Sequence, residues 1–535
     1  MAAMSEPSSF RYRWFALGDL NGFWALAFDN LAVLSYLAGI LIGVFGFPAD
    51  VVFSRMFPGT AFGVLFGDLV YTGMAFRLAK RTRAQTITAM PLGLDTPSTI
   101  GIALLILGPA FLRLKAEGLS EHDAAMMTWY IGMATMVIIG VVKIGLSFIG
   151  NWVQKIVPQA GLLGSLAGIG LAFIGFLSFV DILRMPVVGL LALGVIFYTL
   201  VAGIGLPGRL PGVLAAVLIG TGLYYTLGPL GWAGGTYASP PSFLVQFDLP
   251  VPSLDFMDGL RPALAYLPLS IPFALLTVVG GINVTESARA AGDAYDARQI
   301  LLAEAIATVV AGICGGVAQS TPYIGHPAYK RMGCRAGYTV ITGVLIGLGG
   351  VLGYVSFLIG LIPRAALAPI LVFVAMDIVA QTFRITPSRH LGAAALAFFP
   401  TVARLVTIKL DNPAVVPAET FQKLLALPGN EMPELLVTVA LGNGFLLTGM
   451  LWGGFLAELI DRRINRSIVY LLVLAVLTSF GVVHSALEDG SMYLPWTLTG
   501  PARDLCLQFS AAYLGLAALL FLLAEAPVAR APDDD

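Results

Sequence analysis

Apolar stretches of about 20 residues follow one another along almost the whole chain, and this feature restricts the fold more than any other. Such a stretch crosses a bilayer as an α-helix, because the helix satisfies its own backbone hydrogen bonds. Only 11% of the 535 residues are charged, against roughly 25% in a typical soluble domain. The sequence therefore predicts an all-α polytopic membrane protein embedded in a lipid bilayer. No basic stripe is present, so no nucleic-acid partner is expected.

About sixteen apolar segments can be distinguished by hydropathy and by the charges that separate them. They fall at 22–44, 53–77, 86–112, 125–148, 158–179, 186–203, 210–227, 262–290, 300–316, 318–334, 338–360, 366–384, 391–408, 433–458, 467–485 and 507–525. The third and the tenth segments are interrupted by prolines and polar residues.

Positive charge orients these spans, because Lys and Arg accumulate in cytoplasmic loops. The segments "RLAKRTR" (77–83), "KRMGCR" (330–335) and "RRINR" (462–466) fall on one side if the spans alternate from a cytoplasmic N-terminus. The loop 228–260 contains no Lys or Arg and falls on the opposite side. We expect a multi-pass protein of the cell (inner) membrane with both termini in the cytoplasm.

The loop without basic residues also divides the chain into two halves. Residues 1–228 hold seven spans, and residues 258–460 hold seven more, separated by an extracytoplasmic loop at 229–257. An odd number of spans in each half inverts the second half relative to the first. Residues 461–535 add an extra two-span hairpin and a cytoplasmic tail. The predicted fold is a 7+7 inverted repeat with this hairpin appended.

The interrupted third and tenth spans occupy corresponding positions in the two halves. They contain "TAMPLGLDTPSTIG" (88–101) and "GGVAQSTPYIGHPAYKRMG" (315–333). Proline breaks a helix, and irregular backbone survives at membrane depth only inside protein or against a cavity. Each segment is therefore predicted to form a short extended strand followed by a half-helix. Two half-helix N-termini facing one another would bind a polar or anionic solute, and such pairs indicate a transporter's central site.

Three motifs resemble those of the nucleobase permeases, the hypoxanthine–guanine and xanthine–uracil permease-like proteins. They are "MPLGLDTPSTIG" (90–101), "RQILLAEAIATVVAGICGGVAQSTPYIGHPAYKRMGCRAGYT" (298–339) and "ALGNGFLLTGMLWGGF" (440–455). The broader resemblance is to the nucleobase–ascorbate and sulfate-permease fold, over most of residues 20–460. It implies a core domain of spans 1–4 and 8–11 that moves as an elevator against a gate domain of spans 5–7 and 12–14. It also implies coupling to H⁺ or Na⁺ and frequent homodimers.

Two acidic positions of that family are occupied differently in this chain. Family members carry an acid two residues after the tenth-span tyrosine, where this chain has Gly325. They carry another near Val279, where the closest acid is Glu286, two helical turns further on. A carboxylate inside a span is functional by default. Alternatively, the eighth span ends near Val284, and Glu286 then belongs to a solvated cluster at the cytoplasmic boundary.

The predicted substrate-binding residues lie on the first, third, eighth and tenth spans. They are Asp29, Asn30, Gly93, Asp95, Thr96, Asn283, Glu286, Gln319, Ser320, Thr321, Tyr323 and Gly325. Asp95, Glu286 and His326 are the candidates for binding the coupling ion, because His titrates near neutral pH and the two acids can take a cation. Asp95 has a second interpretation as the N-cap of the following half-helix. His326 could equally be a fixed hydrogen-bond donor.

Other polar residues are predicted to be structural. Asp68 and Arg55 in the second span and Lys143 in the fourth are expected to form ion pairs. Cys314, Cys334 and Cys506 have no paired or metal-binding spacing, so they are expected to pack as small apolar residues. No cofactor and no bound metal are predicted, and the chain lacks catalytic motifs, so we do not expect an enzyme.

The main functional prediction is a secondary active permease for a small organic solute, with purines and related nucleobases first by resemblance. A second transport interpretation is a carrier of sulfate, another oxyanion or a carboxylate, which the loss of both family carboxylates favours. A third class is a membrane receptor or scaffold that transports nothing. The paired breaks argue against this third class, because a scaffold does not need them.

Overall fold

The computed structural model describes residues 10–156, 159–242, 247–323, 325–410, 416–417, 420, 434–487 and 490–525. Most of the insert at 409–432, which the sequence left without a role, lies outside the described residues.

The described chain is built almost entirely of helices. In the first half they are α1 (Gly18–Gly43), α2 (Ala49–Thr82), α3 (Thr96–Ala116), α4 (Glu121–Ile156), α5 (Gln159–Arg184), α6 (Pro186–Val201) and α7 (Gly212–Leu227). The second half contains α8 (Phe256–Ala290), α9 (Ala297–Ile313), α10 (His326–Arg331), α11 (Gly337–Val351), α12 (Tyr354–Leu361), α13 (Arg364–Ile385), α14 (Ser388–Leu410), α15 (Glu434–Gly442) and α16 (Phe445–Ile460). The C-terminal hairpin consists of α17 (Ile464–Ser479) and α18 (Gly500–Glu525).

Nine helices within the described ranges are long and apolar enough to cross a membrane, or eleven if each strongly bent pair counts as one span. The element order reproduces the sixteen predicted segments, with a broken span third in the first half and third in the second. The predicted all-α, inverted-repeat architecture with an added C-terminal hairpin is thereby confirmed. Counted in chain order, with each bent pair as one and the short helices included, the described part of each half contains seven such elements.

Two spans that the sequence predicted as continuous are sharply bent. The α11 and α12 axes differ by 96°, and the α15 and α16 axes differ by 86°. Each bend contains a glycine with positive φ, Gly353 at 76° and Gly444 at 70°. This region of backbone space is accessible to glycine at little steric cost, so the glycines allow the chain to turn within a span. The apolar pattern alone does not reveal such a bend.

Only two short strands occur in the described part of the chain. β1 (Leu92–Leu94) and β2 (Ser320–Pro322) pair in an antiparallel register with Gly93 opposite Thr321. They belong to the third and the tenth spans, and the next helices along the chain are α3, which begins at Thr96, and α10, which begins at His326. The predicted strand followed by a half-helix is therefore present in both halves.

Small residues let the second span approach the ninth closely. A Cβ on Gly63 of α2 would lie 2.6 Å from the Ala311 Cβ of α9, and one on Gly59 would lie 2.2 Å from the Cys314 carbonyl oxygen. Such small-residue contacts allow helix backbones to pack tightly in membrane proteins. All three cysteines are buried and unbridged, so their packing agrees with the sequence interpretation.

The chain forms two compact units. The first contains residues 1–150, 174–264 and 273–374, and it includes both strands. The second contains residues 151–173, 265–272 and 375–535, and it includes the C-terminal hairpin. Within the hairpin, Leu471, Leu474 and Tyr513 belong to one buried apolar cluster. The predicted domain boundaries at 228, 258 and 460 separate the two repeats and the hairpin along the chain. They do not correspond to the compact units, and they stay a prediction.

Candidate functional site

The paired strands β1 and β2 form the centre of the candidate site. Beyond the strands, the Asp95 backbone N–H donates to the Gln319 carbonyl at 2.9 Å, and the Tyr323 N–H donates to the Pro91 carbonyl at 2.8 Å. These two bonds extend the pairing by one step at each end. The broken spans therefore satisfy each other's backbone, which is what irregular chain at membrane depth requires.

Asn30 of α1 holds the edge of β1 that faces away from β2. Its Oδ1 accepts from the Leu94 N–H at 2.9 Å, and its Nδ2 donates to the Leu26 carbonyl at 2.9 Å. A mid-span amide is suited to this task because it donates and accepts at once. The structure thus brings Asn30 to the strands, and Gly93 lies beside it with a Cβ position 3.7 Å from the amide.

Asp95 is the N-cap of α3. Its Oδ2 accepts from the Ser98 backbone N–H at 2.9 Å, and α3 begins at Thr96 with Pro97 in its first turn. The carboxylate therefore satisfies one of the free N–H groups at the helix start and lies at its positive end. This is the capping role that the sequence offered as one of two interpretations of Asp95.

Lys143 and Glu304 form an ion pair that the sequence did not assign to the site. The Lys143 Nζ lies 2.9 Å from the Glu304 Oε1, and both side chains are fully buried. The same ammonium is 3.3 Å from the Gln319 Oε1 and 3.2 Å from the Ser320 carbonyl oxygen. A lysine from α4 and an acid from α9 thus hold the strand β2. The sequence signal was present, since each is a lone charge within an apolar span.

Several buried polar groups around the strands have no hydrogen-bond partner among the described residues. They are the Gln319 Nε2, the Ser320 Oγ and the Thr99 Oγ1. The Gln319 amide orientation follows from the Lys143 ammonium at its Oε1, which leaves its Nε2 end to interact with the Asp95 carboxylate. The two hydroxyls can donate or accept, and the Glu304 carboxylate oxygens also lack a hydrogen bond of normal geometry. Buried polar groups without partners are costly in a protein.

Asp29 of α1 is also buried, at 1% exposure, and neither of its carboxylate oxygens has a partner in the described structure. The mid-span position of Asp29 led the sequence analysis to include it in the site. A bare carboxylate in such surroundings is costly unless a proton or a cation neutralises it.

His326 and Lys330 of α10 meet Asp293, which lies between α8 and α9. The His326 Nε2 is 3.2 Å from the Asp293 Oδ2, and the Lys330 Nζ bonds to the Oδ1. The Thr88 backbone N–H, just before β1, also donates to this carboxylate at 3.2 Å. Burial raises the pKa of Asp293, and Lys330 opposes that shift. His326 therefore contacts a carboxylate that ties α10 to the segment before β1.

Glu286 is not brought to the strands by any contact in the described structure. It lies in the last two turns of α8 with 54% of its side chain exposed, and it pairs with Arg289 at 3.0 Å. This placement matches the boundary cluster that the sequence left open. The helix of the eighth span ends at Ala290, as the predicted segment 262–290 did, and not near Val284 as in the alternative interpretation.

The remaining predicted site residues lie on the same elements. Thr96 is buried at the start of α3, whereas Thr321, Tyr323, Gly325 and Asn283 are half-buried. The Tyr323 ring meets the Tyr329 ring edge to face with 6.2 Å between centroids. Within the described ranges, no group of three or more His, Cys, Asp and Glu side chains could hold a metal ion.

Comparison with protein-family models gives no match, and comparison with curated proteins gives none. Among solved structures, the chain is similar to the transmembrane domain of a cyanobacterium bicarbonate transporter, BicA, with 17% identity, 73% of this chain and 95% of that chain covered, and a TM-score of 0.49. It is similar to SLC26A9 with 11% identity, coverage of 82% and 65%, and a TM-score of 0.49. It is also similar to the murine Slc26a9 anion transporter in the inward-facing state, with 14% identity, coverage of 77% and 67%, and a TM-score of 0.44. The nucleobase-permease prediction gains no support from these comparisons.

Proposed function

We propose that the chain is a secondary transporter of a small anion, an oxyanion or a short carboxylate, bound at the paired strands β1 and β2. The observation that carries this proposal is the Lys143 ammonium beside β2, together with the buried hydroxyls of Ser320 and Thr99 that have no partner among the described residues. An anion offers acceptors only, and hydrogen bonds from neutral donors to a charged acceptor are among the stronger ones.

The charges near the strands support the same proposal. Glu304 is paired with Lys143, and the Asp95 carboxylate lies at the N-terminus of α3 and accepts from Ser98. Both acids thus have a compensating neighbour, although the Glu304 carboxylate oxygens make no hydrogen bond of normal geometry among the described residues. The Lys143 ammonium is the cationic end of this pair, and it lies next to Gln319 and Ser320. In a low-dielectric site the cationic end of an ion pair favours an anion beside it.

A nucleobase is the second candidate, and the aromatic pair at the end of β2 favours it. The Tyr323 and Tyr329 rings meet edge to face there. A planar heterocycle can pack on a phenol face in an offset or edge-to-face arrangement. The motif resemblance of the third and tenth spans points to the same solute class. Nucleobase binding needs acceptors as well as donors, and Asp29 is the buried group that could provide one.

The finer parts of the transport prediction belong to this proposal. We place the chain in the cell membrane with both termini in the cytoplasm, on the charge pattern of its loops. Transport by an elevator motion of the broken spans, coupling to H⁺ or Na⁺, and a homodimeric state follow from the family resemblance. In this scheme the chain moves a solute and performs no chemical conversion.

Thermal-shift and uptake measurements on purified protein test the solute class. A ligand that binds the folded state raises the melting temperature by mass action. Sulfate, bicarbonate and short carboxylates should raise it and should exchange across proteoliposome membranes, whereas hypoxanthine, guanine and uracil should not. Stabilisation and uptake of purines alone would replace the anion by the second candidate. The absence of both for every solute would contradict a transport function.

A further inference from the structure

The second span carries a buried acid, Asp68, in a tight contact with α11. The two helices run in opposite directions, with the Thr72 Oγ1 2.8 Å from the Thr339 Oγ1 and with Leu65 against Gly347. Between these contacts, Asp68 faces Gly343, where a Cβ would lie 2.9 Å from the Asp68 Cβ. The glycine is the feature that makes room for the acid between the helices.

Asp68 has no counter-charge. Its side chain is fully buried, and neither carboxylate oxygen has a hydrogen-bond partner of normal geometry among the described residues. The backbone N–H of Leu92, the first residue of β1, compensates it in part. The ion pair that the sequence predicted for Asp68 is therefore absent from the described structure. An acid held in this way is the kind of intramembrane residue that has a functional role by default.

The two halves of the chain treat their acids differently. Asp68 is on the second span of the first half, and Glu304 is on α9, the second span of the second half. Both lie beside the strand of a broken span. Glu304 is paired with Lys143 from a fourth span, whereas the fourth span of the other half, α11, presents Gly343 to Asp68. The second span of each half thus holds a buried acid, and Glu304 has a counter-charge whereas Asp68 has none.

We infer that Asp68 is a proton-binding site that couples proton movement to solute transport, a role that rests on the proposed transport function. A buried carboxylate with no counter-charge is costly, so the group holds a proton in the conformation described here. The close approach of Gly343 favours a proton over Na⁺, because Na⁺ would need several oxygen ligands where a glycine backbone packs instead.

Two buried acids without hydrogen-bond partners, Asp68 and Asp29 of α1, interact with the Tyr329 phenol, and Asp68 is the one that Leu92 of β1 compensates in part. The titratable groups that interact with Asp68 electrostatically are the buried phenols of Tyr71 on its own helix, Tyr329 on α10 and Tyr338 on α11. Tyr71 and Tyr338 donate to backbone carbonyls. On α9, Glu304 is paired with Lys143, and β1 contains no titratable residue. No lysine, arginine or histidine in the described chain compensates Asp68.

The contact with Leu92 suggests how proton and solute are linked. The Leu92 N–H belongs to β1, so a shift of this strand changes the compensation available to an ionised Asp68. An anion at the strands disfavours a second negative charge nearby, and binding linkage is reciprocal. The anion and the proton therefore stabilise each other's binding, and we expect them to move in the same direction.

The test compares Asp68→Asn with wild-type protein in proteoliposomes. Asn has the size of the protonated acid but cannot release a proton. We expect sulfate or bicarbonate exchange between equal pH values to stay within about twofold of wild type, and accumulation driven by an inward proton gradient to be lost. Asp50→Asn, the same change at an exposed position of α2, should leave both activities unchanged. Gradient-driven accumulation by D68N, or accumulation driven by Na⁺ alone, would overturn the inference.

Infrared difference spectroscopy separates this inference from the transport proposal. The difference between the wild-type and D68N spectra at neutral pH should contain the C=O stretching band of one protonated carboxylic acid, and any band of Asp29 cancels because both proteins contain that residue. This measurement needs no solute, so it decides the matter if D68N is inactive in exchange as well or if no anion is transported. A difference spectrum without that band would overturn the inference by itself.

Discussion

The Lys143 Nζ and the Glu304 Oε1 lie 2.9 Å apart, and neither side chain is reached by solvent. The residues are far apart in sequence, on α4 and α9, and the pair also contacts β2 through the Gln319 amide and the Ser320 carbonyl. A charge pair inside an apolar bundle is expensive to desolvate, so its net contribution to stability is small or unfavourable. Because the pair lies beside the broken span, we attribute its presence to solute binding rather than to stability.

Lys143→Met should destabilise the protein strongly, because it leaves the Glu304 carboxylate buried and unpaired. Removing one partner of a buried ion pair costs about 3–5 kcal/mol. The double variant with Glu304→Met should recover most of that loss in the free energy of unfolding, yet it should bind the anion no better than the single variant. Denaturant unfolding and ligand thermal shift measure the two quantities.

The exposed pair of Arg289 and Glu286 provides the matched control for this experiment. Arg289→Met should change the free energy of unfolding by less than about 1 kcal/mol, because exposed ion pairs contribute little. Equal losses for Lys143→Met and Arg289→Met would contradict the role given to the buried pair. Recovery of anion binding in the double methionine variant would show that Lys143 is not the attracting charge.

Ser320→Ala should weaken anion binding without weakening the fold. The Ser320 hydroxyl has no hydrogen-bond partner in the described structure, so its removal should change the free energy of unfolding by less than about 0.5 kcal/mol. Loss of one hydrogen bond to a bound anion should lower its affinity roughly tenfold, or about 1.4 kcal/mol. Titration calorimetry and thermal unfolding of the same preparation give both values.

Ser270→Ala is the comparison for Ser320, because the Ser270 hydroxyl donates within its own helix to the Tyr266 carbonyl at 2.9 Å. Its anion affinity should equal that of wild type. If S270A and S320A weaken binding alike, the hydroxyl of Ser320 does not contact the solute.

The sequence could predict the elements whose signals are local. Uncharged stretches of membrane length indicated the spans, and Pro91 and Pro97 indicated a strand followed by a half-helix. The bends at Gly353 and Gly444 were missed, because an apolar stretch continues across them. The sequence does not reveal whether a glycine within a span adopts a positive φ. Local pattern thus determines the element order but not the direction in which each span runs.

Site residues were harder to predict, because their roles depend on partners distant in sequence. Lys143 and Glu304 were each visible as a lone charge, but their pairing depends on how α4 packs on α9. The role of Asp95 depended on where α3 begins, and the exposure of Glu286 depended on what covers α8. Asn30 was predicted from its mid-span position, since a buried amide there must satisfy both its ends.

Asp461, which follows α16, should make stability depend on pH in the acidic range. His390 bonds to its carboxylate at 2.8 Å and Arg389 at 2.7 Å, and the hydrogen bond from His390 is the main cause that lowers the pKa of Asp461. A lowered folded-state pKa means that ionisation stabilises the fold. This stabilisation is present above the ordinary carboxyl range near pH 4 and is lost as the pH falls through the lowered pKa.

Thermal unfolding of wild type and Asp461→Asn across pH measures this effect. The variant should melt at a lower temperature at neutral pH, and the two curves should converge as the carboxyl group becomes protonated in acid. A melting difference that stays constant from neutral to strongly acidic pH would assign the loss to packing rather than to the charge of Asp461.

Gly444→Ala tests the bend between α15 and α16. Gly444 has a φ of 70°, and a Cβ there would lie 2.3 Å from the Val482 carbonyl oxygen. An alanine must therefore adopt the left-handed region and displace backbone, which should cost about 2 kcal/mol or more.

Gly222 of α7 is the matched position, because a Cβ there meets nothing within 4 Å. Gly222→Ala should stabilise its helix by about 0.5–1 kcal/mol, since alanine loses less backbone entropy than glycine. Opposite signs in the two melting-temperature shifts are the expected result, and a neutral Gly444→Ala would mean that the span can pass residue 444 without the bend.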